Sequence, residues 1–291
     1  MDVNKFNVLL KVIEEGSLTQ AAEKLGYTTS GISRLISSLE DETGFILLNR
    51  SRNGVVPTKE CLMIMPVIKD MVKNAQLYES IKNEINGIET GSVTIGTSYF
   101  PSFGIIADTV ASFSKYYPNI EVSIIERNSS SLAEMLDNKE MDIAIITKRE
   151  GNFKWQFLKN DYLVAWVNDS HDAVKDGFYN EERFKEDRFI ELYPGEDTDN
   201  SHFFKVRGIV PNVRYKTFNV DAAFEMVNAS LGVTITNSFF NRDDMKNVVS
   251  LPVKPEHMLK IGAARRFDSE LSPAAKKFWK YMKESLTALQ K

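Results

Sequence analysis

The stretch GSLTQAAEKLGYTTSGISRLISSLE, from Gly16 to Glu40, holds two short helical patterns separated by one glycine. Ser17 and Gln20, three residues apart, form a capping box, which predicts that the first helix begins there. Gly26 follows Leu25 at the position where a helix ends in the left-handed conformation. The stretch therefore predicts two helices joined by a tight turn.

The second of these helices has an unusually polar outer face. A cap at Thr28 or Thr29 precedes it. The apolar positions fall at i, i+3, i+4 and i+7 and predict one buried stripe: Ile32, Leu35, Ile36 and Leu39. The opposite face carries short hydroxyls and one guanidinium: Thr29, Ser30, Ser33, Arg34 and Ser37. Such groups can approach phosphates and base edges closely, although a plain hairpin with a solvated face is the alternative interpretation.

The segments on either side of the hairpin favour a polar face that contacts DNA over a face that is only solvated. An amphipathic helix is predicted before it by the spacing of Phe6, Leu9, Leu10 and Ile13. After it, GFILLNRSRNGVVPT predicts two short strands around a basic turn from Arg50 to Gly54. Three helices followed by a basic hairpin are the parts of a winged helix-turn-helix.

The segments GSLTQAAEKL, SGISRLISSLED and TGFILLNRSRNGVVPT resemble the DNA-binding domain of LysR-type transcriptional regulators, and the resemblance continues through the rest of the chain. The positions that fall on the family's pattern include Ala21, Ala22, Ser33, Leu39, Glu40, Gly44, Arg50 and Thr58. The resemblance implies a DNA-binding domain over residues 1–59. Thr29 stands where the family usually has Gln, so we expect a target sequence that differs from the usual preference.

The charge of the chain limits how this domain can bind double-stranded DNA. The net charge is −4, and seven basic against eight acidic side chains give the first sixty residues a net charge of −1. Affinity must therefore come from the placement of a few groups rather than from a basic domain. The expected DNA contacts are Ser17, Thr28, Thr29, Ser30, Ser33, Arg34, Ser37, Arg50 and Arg52.

Residues 60–90 predict a long helix followed by a hinge. Its apolar stripe repeats every three to four residues: Cys61, Met65, Ile68, Val72, Ala75, Tyr78, Ile81, Ile85 and Ile88. Pro66 is expected to kink this helix or to mark its effective start. The resemblance implies a linker helix that pairs with that of a second chain in a homo-oligomer, a dimer or a tetramer. Packing against its own domain is the alternative.

From residue 91 onward, strand and helix patterns alternate, which predicts a largely parallel, doubly wound α/β sheet. The segment YLVAWV is interpreted as the strand that crosses into a second lobe. The expected architecture is a two-lobed, periplasmic-binding-protein-like effector domain over residues 91–291. Lobe I takes about residues 91–160 and 267–291, and lobe II about residues 161–266, with a cleft between them.

Ligands of open α/β sheets bind at the carboxyl ends of strands, where helix N-termini and hydroxyls converge. The residues at those ends are Thr97, Ser98, Tyr99, Phe100, Asn128, Ser129, Thr147, Tyr193, Phe218 and Thr236. We expect them to bind a small-molecule effector, with a carboxylate or an aromatic acid as the favoured class. Ordinary helix caps and turn residues are the alternative interpretation for each of them taken singly.

Other classes of protein are disfavoured by what the sequence lacks. No cofactor motif, metal-ligand spacing or catalytic constellation is present, and Cys61 is the sole cysteine. Asp142 is expected to have a structural rather than a catalytic role. Without a membrane-spanning run or a signal peptide, the chain is expected to be cytoplasmic. The predicted function is a transcriptional regulator whose operator binding responds to an effector. The alternative is a cytoplasmic small-molecule-binding protein without such control.

Overall fold

The structure is a computed structural model that describes residues 2–51, 54–87, 89–99, 101–241 and 244–286. Its contacts divide the chain into two compact units, Met1–Ile88 and Glu89–Lys291. Two of the predicted site residues, Arg52 and Phe100, lie outside the described residues. None of the helices in the described ranges combines the length and the hydropathy that a membrane span needs.

The first unit contains helices packed around one core and a short hairpin. Its elements are α1 (Val3–Glu15), α2 (Leu18–Leu25), α3 (Thr29–Thr43), β1 (Leu48–Ser51), β2 (Gly54–Pro57) and α4 (Lys59–Ile85). The predicted stripe of α3 packs inward, with Ile32, Ile36 and Leu39 buried and Leu35 partly buried in this core. Gly26 ends α2 with a φ of 69°, in the left-handed region that glycine adopts without strain.

Strands β1 and β2 pair antiparallel and form the wing of the domain. The Val55 N–H donates to the carbonyl oxygen of Gly16 at 2.8 Å, which joins the wing to the turn between α1 and α2. Gly54 has a φ of +122°, and a Cβ at that position would lie 2.8 Å from the same oxygen. The wing therefore requires glycine where it meets this turn.

Helix α4 begins at Lys59 and continues past Pro66, so the proline does not mark the start of the helix. Its apolar stripe divides into two parts. Cys61, Ile68 and Val72 are buried in the core of the first unit, as the alternative interpretation of this helix expects. In the second part, the exposed fractions are 63% for Tyr78, 43% for Ile81 and 79% for Ile85. Within this stripe, the later half is exposed, and the first half of α4 also exposes the apolar residues Leu62, Met63 and Val67 on another face.

The second unit alternates strands and helices. Its strands are β3 (Gly91–Thr97), β4 (Ile120–Glu126), β5 (Ile143–Thr147), β6 (Lys154–Asn168), β7 (Tyr179–Asn180), β8 (Phe189–Leu192), β9 (Val213–Thr217), β10 (Thr234–Asn237), β11 (Val248–Lys254) and β12 (Met258–Arg265). Its helices are α5 (Ser102–Tyr116), α6 (Ser129–Asp137), α7 (Ala173–Asp176), α8 (Asp199–Arg207), α9 (Val220–Asn228) and α10 (Pro273–Leu286).

The main sheet has the order β4–β3–β5–β12–β6–β11–β7, with β10 also paired to β6. The expectation of a largely parallel sheet is wrong for its middle. Strands β3, β4 and β5 pair parallel, whereas β12 runs antiparallel to β5 and β6. Strands β10 and β11 are also antiparallel to β6. The sheet is mixed because the chain crosses between the lobes on β6 and returns on β12.

Strand β6 passes from lobe I to lobe II, as the sequence predicts for YLVAWV. Residues 154–162 of this strand pair with β12, and residues 163–168 pair with β10 and β11. The predicted limits of the lobes need one correction. Ile261 and Ala263 of β12, which were expected in lobe II, pack in the core of lobe I together with Val93 and Phe278. Strand β12 lies between β5 and β6 in the sheet, and Ala263 pairs with Ile145 of β5, whose side chain packs in the same core.

The strands of lobe I are covered on both faces. Ile143 and Ile145 of β5 pack in the core that includes residues of α5 and α10. Ala144 and Ile146 pack on the other side with residues of α6. Because successive side chains of a strand point to opposite faces, a run of apolar residues such as this one fits a strand buried on both sides. This packing brings the carboxyl ends of β3, β4 and β5 to one edge.

Candidate functional site

The outer face of α3 is the candidate nucleic-acid interface of the first unit. Thr28 Oγ1 accepts a hydrogen bond from Gly31 N at 3.1 Å and thereby caps the helix. The predicted contact residues on this face are exposed, except for Ser33, which is half-buried: Thr28, Thr29, Ser30, Ser33, Arg34 and Ser37. The face thus presents hydroxyls and one guanidinium near the N-terminal end of a helix.

The wing lies beside this face. Arg50 on β1 donates a hydrogen bond from Nη1 to Ser33 Oγ at 2.9 Å, so its charge is held next to α3. Glu40 at the other end of α3 accepts hydrogen bonds from Leu47 N at 2.8 Å and Leu48 N at 3.2 Å. Sequence reasoning placed Glu40 on the family's pattern without a role. The structure shows that it fixes the start of β1 relative to α3.

Ser17 has a structural contact instead of an exposed one. Its Oγ accepts a hydrogen bond from Gln20 N at 3.3 Å and caps α2, as the capping box predicts. The side chain is half-buried. Ser17 therefore positions the helix that precedes α3, and its hydroxyl is already engaged with the backbone.

Ion pairs within the first unit engage three of its lysines and three of its carboxylates. Lys5 pairs with Glu42, Lys11 pairs with Glu14 at 2.9 Å and with Glu15 at 3.1 Å, and Lys24 pairs with Glu15 at 2.8 Å. These carboxylates are neutralised by lysines on the same unit. The guanidiniums of Arg34 and Arg50 carry their charge on or beside the outer face of α3.

Cys61 lies in the core below this interface. Burial raises the pKa of its thiol to about 11, so the thiol is protonated near neutral pH. Its N–H donates to Thr58 Oγ1 at 3.1 Å. The residue acts as a small apolar side chain.

The candidate ligand site of the second unit is a cleft of about 1120 Å³. It lies where the strand ends of lobe I face lobe II. Six of the predicted effector residues line it: Ser98, Asn128, Ser129, Tyr193, Phe218 and Thr236. Further described residues of the lining include Glu126, Arg127, Glu196, Asp199, Asp221, Asn237, Phe239 and Phe240.

A chain of hydroxyls forms the lobe I side of the cleft. Ser98 Oγ and Ser129 Oγ are 2.7 Å apart and share a hydrogen bond. Ser129 Oγ also accepts from the backbone N–H of Thr147 at 3.0 Å. Asn128 caps α6 by accepting from Ser131 N at 2.8 Å. These contacts tie the ends of β3, β4 and β5 together at the edge that the sequence predicts.

Three of the predicted effector residues do not belong to the described lining of the cleft: Thr97, Tyr99 and Thr147. Thr97 is fully buried, and its Oγ1 lies 2.7 Å from Ser102 Oγ, where it holds the start of α5. Tyr99 packs in the core of lobe I, edge-on to Phe239. Both Thr97 and its neighbour Ser98 were expected to contact an effector. Because neighbouring residues of a strand face opposite ways, only Ser98 points into the cleft.

The hydroxyl of Thr147 is instead hydrogen-bonded to a carboxylate of lobe II. Its Oγ1 donates to Asp199 Oδ2 at 2.9 Å, and Arg149 Nη2 donates to Asp199 Oδ1 at 2.7 Å. Asn237 Nδ2 lies 3.3 Å from Asp199 Oδ2. The Asp199 and Arg149 side chains are each 13% exposed. A second link between the lobes runs from Asn128 Nδ2 to Glu196 Oε2 at 2.8 Å.

Tyr193 stands among acidic side chains on the lobe II side. Burial raises the pKa of its phenol above the usual value, and Glu126, Glu196 and Asp221 raise it further. Phe218, Phe239 and Phe240 line the same cleft and give it aromatic walls. The site combines an aromatic interior with several carboxylates.

Two family models match the chain. The model described as bacterial regulatory helix-turn-helix protein, lysR family, matches residues 3–62. The model described as LysR substrate binding domain matches residues 86–287. The chain belongs to the LysR family. It has an N-terminal helix-turn-helix DNA-binding domain and a C-terminal two-lobed ligand-binding domain, and it is a transcriptional regulator of this family.

This LysR-family chain aligns with relatives in the family over most of its length. It is 26% identical over 287 residues to the HTH-type transcriptional regulator YoaU of Bacillus subtilis, covering 97% of this chain and 98% of the relative. It is 23% identical over 262 residues to the regulator BenM of Acinetobacter baylyi, covering 87% and 86%.

Solved structures of family members share its fold. A full-length OxyR variant from Pseudomonas aeruginosa superimposes with a TM-score of 0.66 at 17% identity, covering 98% of this chain and 94% of that one. Full-length CbnR complexed with its target DNA gives a TM-score of 0.60 at 16% identity, covering 98% and 100%.

Sequence reasoning about this LysR-family chain missed Asp199 and Glu196. The local signal is the segment GEDTDNS, where Thr198 caps α8 and Asp199 stands in its first turn. Acidic residues in a first turn are ordinary complements of the helix dipole, so nothing in the segment points to a partner on another lobe. The contact of Asp199 with Thr147 spans 52 residues of sequence and is decided by the packing of the lobes.

Proposed function

We propose that this LysR-family regulator binds its operator as a homodimer through α3 and the wing, and that a small molecule in the cleft modulates this binding. The observation that supports the DNA contacts is the exposed polar face of α3 with Arg50 held against it by Ser33. Short hydroxyls, guanidiniums and free helix N–H groups are the donors that phosphates and base edges accept.

Dimerisation is assigned to the later half of α4. Tyr78, Ile81 and Ile85 follow each other at helical spacing and are exposed. An apolar stripe of this kind on a long helix is stabilised by burial against a second helix. Two paired chains would present two α3 helices to two half-sites, which doubles the phosphate contacts available to a domain with few positive side chains.

The links between the lobes support the coupling of ligand and DNA binding. Thr147 and Arg149 of lobe I hold Asp199 of lobe II, and Asn128 holds Glu196. A ligand that enters the cleft contacts residues of both lobes and so favours one arrangement of them over another. Such a population shift changes the affinity for DNA only by the difference in ligand affinity between the two arrangements.

A regulator rather than an enzyme is also supported by the state of Asp142. This buried carboxylate pairs with Arg266 and accepts a hydrogen bond from Thr94 N at 3.0 Å. It is part of the packing of lobe I and is engaged on both oxygens.

The test is selection of DNA by the purified full-length chain from a random double-stranded library, followed by sequencing of the bound fraction. We expect enrichment of a sequence with two related half-sites, and an affinity for it that falls steeply with salt. A bound fraction with no sequence preference at any salt concentration would contradict the proposal.

A further inference from the structure

The charges that line the cleft are predominantly negative. Among the described residues of the lining, four carboxylates face one guanidinium: Glu126, Glu196, Asp199 and Asp221 against Arg127. Arg127 is exposed and donates from Nη1 to the Glu126 carbonyl oxygen at 2.9 Å. Arg149 lies beside the lining and pairs with Asp199. An anionic ligand would have to enter against this field.

The groups that would bind a carboxylate are already engaged by the chain itself. Asp199 accepts from Thr147 Oγ1 at 2.9 Å and from Arg149 Nη2 at 2.7 Å. Since hydroxyl and guanidinium donors are the natural partners of a carboxylate, Asp199 fills the position that an acidic effector would take. A ligand acid would have to displace it and leave a second carboxylate without partners nearby.

The remaining surface of the cleft fits a cation with an apolar body. Glu126 approaches from lobe I, Glu196 and Asp221 approach from lobe II, and Tyr193 stands among them. Phe218 lines the same cleft and is 64% exposed, so a large apolar surface is uncovered there. Aromatic faces attract ammonium and guanidinium groups and also bury apolar carbon atoms.

We propose that the cleft binds a small molecule with an ammonium or guanidinium group and an apolar body. This assignment rests on the proposed function, since it takes the cleft as the effector site. It replaces the carboxylate or aromatic acid that the sequence led us to expect. The ammonium group lies between Glu126 and Glu196, and the apolar part lies against the aromatic walls.

The test uses three probes of one shape and different charge: benzylamine, benzyl alcohol and benzoate. Each is titrated into the full-length chain at pH 7 and low salt by isothermal titration calorimetry. We expect benzylamine to bind at least ten-fold more tightly than benzoate, with benzyl alcohol between them. Added salt is expected to weaken benzylamine binding and to leave benzyl alcohol binding unchanged.

Variants locate the preference in the cleft. The double substitution Glu126→Gln with Glu196→Gln keeps the size of both side chains and an acceptor for Asn128. We expect it to weaken the binding of benzylamine at least five-fold without weakening the binding of benzyl alcohol. Glu121→Gln is the matched control, because Glu121 is exposed on the same strand as Glu126 and is not among the lining residues. This control is expected to bind all three probes as the unmodified chain does.

Tighter binding of benzoate than of benzylamine overturns the assignment of charge and leaves effector binding in place. Equal binding of the three probes, binding of none, or an unchanged preference in the double variant also overturns it. Failure of the proposed function is seen separately, as a lack of sequence preference in the DNA selection.

Discussion

Arg50 Nη1 lies 2.9 Å from Ser33 Oγ, and this hydrogen bond connects the wing to the outer face of α3. The two residues are 17 positions apart in sequence, and both were expected to contact DNA for separate reasons. Their contact means that the position of the wing guanidinium depends on a hydroxyl of the helix. We therefore expect the pair to act as a unit if the domain binds phosphate through this face.

The first prediction concerns this pair. Arg50→Ala is expected to weaken operator binding by ten-fold or more, and Ser33→Ala by less, because the charge remains but is no longer held. The double variant is expected to lose less affinity than the product of the two single losses, because the effects of two residues in contact are not additive. Fluorescence anisotropy with labelled operator measures all four proteins. Strict additivity would show that the hydrogen bond has no part in binding.

Arg34 is expected to contribute a phosphate contact. It is exposed on α3, so Arg34→Ala is expected to leave the melting temperature unchanged and to lower operator affinity. The slope of log affinity against log salt should decrease by about 1. The measurement is anisotropy over a series of salt concentrations. Lys175→Ala, an exposed site in the second unit, is the control, and an equal effect there would refute the assignment.

The later half of α4 is expected to hold the dimer together. Ile81→Glu with Ile85→Glu places two charges on the exposed stripe, and burying them against a partner would be costly. We expect the variant to elute as a monomer in size-exclusion chromatography with light scattering. Gln76→Glu, which is exposed on another face of the same helix, is expected to remain a dimer. An unchanged mass for the double variant would place the interface elsewhere.

The buried pair of Arg266 and Asp142 is expected to stabilise lobe I strongly. Arg266→Met leaves Asp142 buried without its cation, and such a loss costs about 3 kcal/mol or more. Urea unfolding followed by circular dichroism should show a lower midpoint for the second unit. Lys154→Met removes an exposed ion pair with Asp268 and is expected to have a far smaller effect. Equal midpoints for the two variants would show that the buried pair is dispensable.

Asp161 is expected to make stability depend on pH. Burial raises the pKa of its carboxyl above the usual value, although Ser238 donates a hydrogen bond to it. The folded protein binds the proton on Asp161 more tightly than the unfolded protein does. The stability of the fold is therefore lost as the pH rises through the pKa of Asp161 in the folded protein. Asp161→Asn should therefore raise the melting temperature at pH 7, and this gain should shrink toward pH 4. A gain that is constant with pH would contradict the assignment, and exposed Asp176→Asn is the control.

The fold of the first unit could be predicted from the sequence because its determinants are local. Thr28 caps α3 through a hydrogen bond to a residue three positions away, and Gly26 ends α2 at a single left-handed position. The apolar spacing of α3 correctly predicted the burial of Ile32, Ile36 and Leu39, and Leu35 is partly buried. For α4 the spacing was equally regular, but it did not distinguish packing on its own domain from pairing with a second chain. The structure divides the stripe between an internal core and an exposed half.

The cleft was only partly predictable. The strand ends at Ser98 and Ser129 were found because parallel strands bring their carboxyl ends to one edge. Thr97 was wrongly predicted to line the cleft because the sequence did not show which of two neighbouring residues points its side chain into the cleft. Asp199 and Glu196 were missed because their partners lie on the other lobe.

The sequence by itself determined the elements, the family and the edge of the sheet at which the candidate cleft lies, because caps, periodicity and strand ends act over a few residues. The tertiary structure decided the direction of β12, the burial of Thr97 and the charge of the cleft. These depend on which distant segments pack together: Glu126 of lobe I and Glu196 of lobe II line one cleft only because the two lobes face each other. The proposal of a cationic ligand depends on that arrangement, since the charge of a site is the sum over every element that lines it.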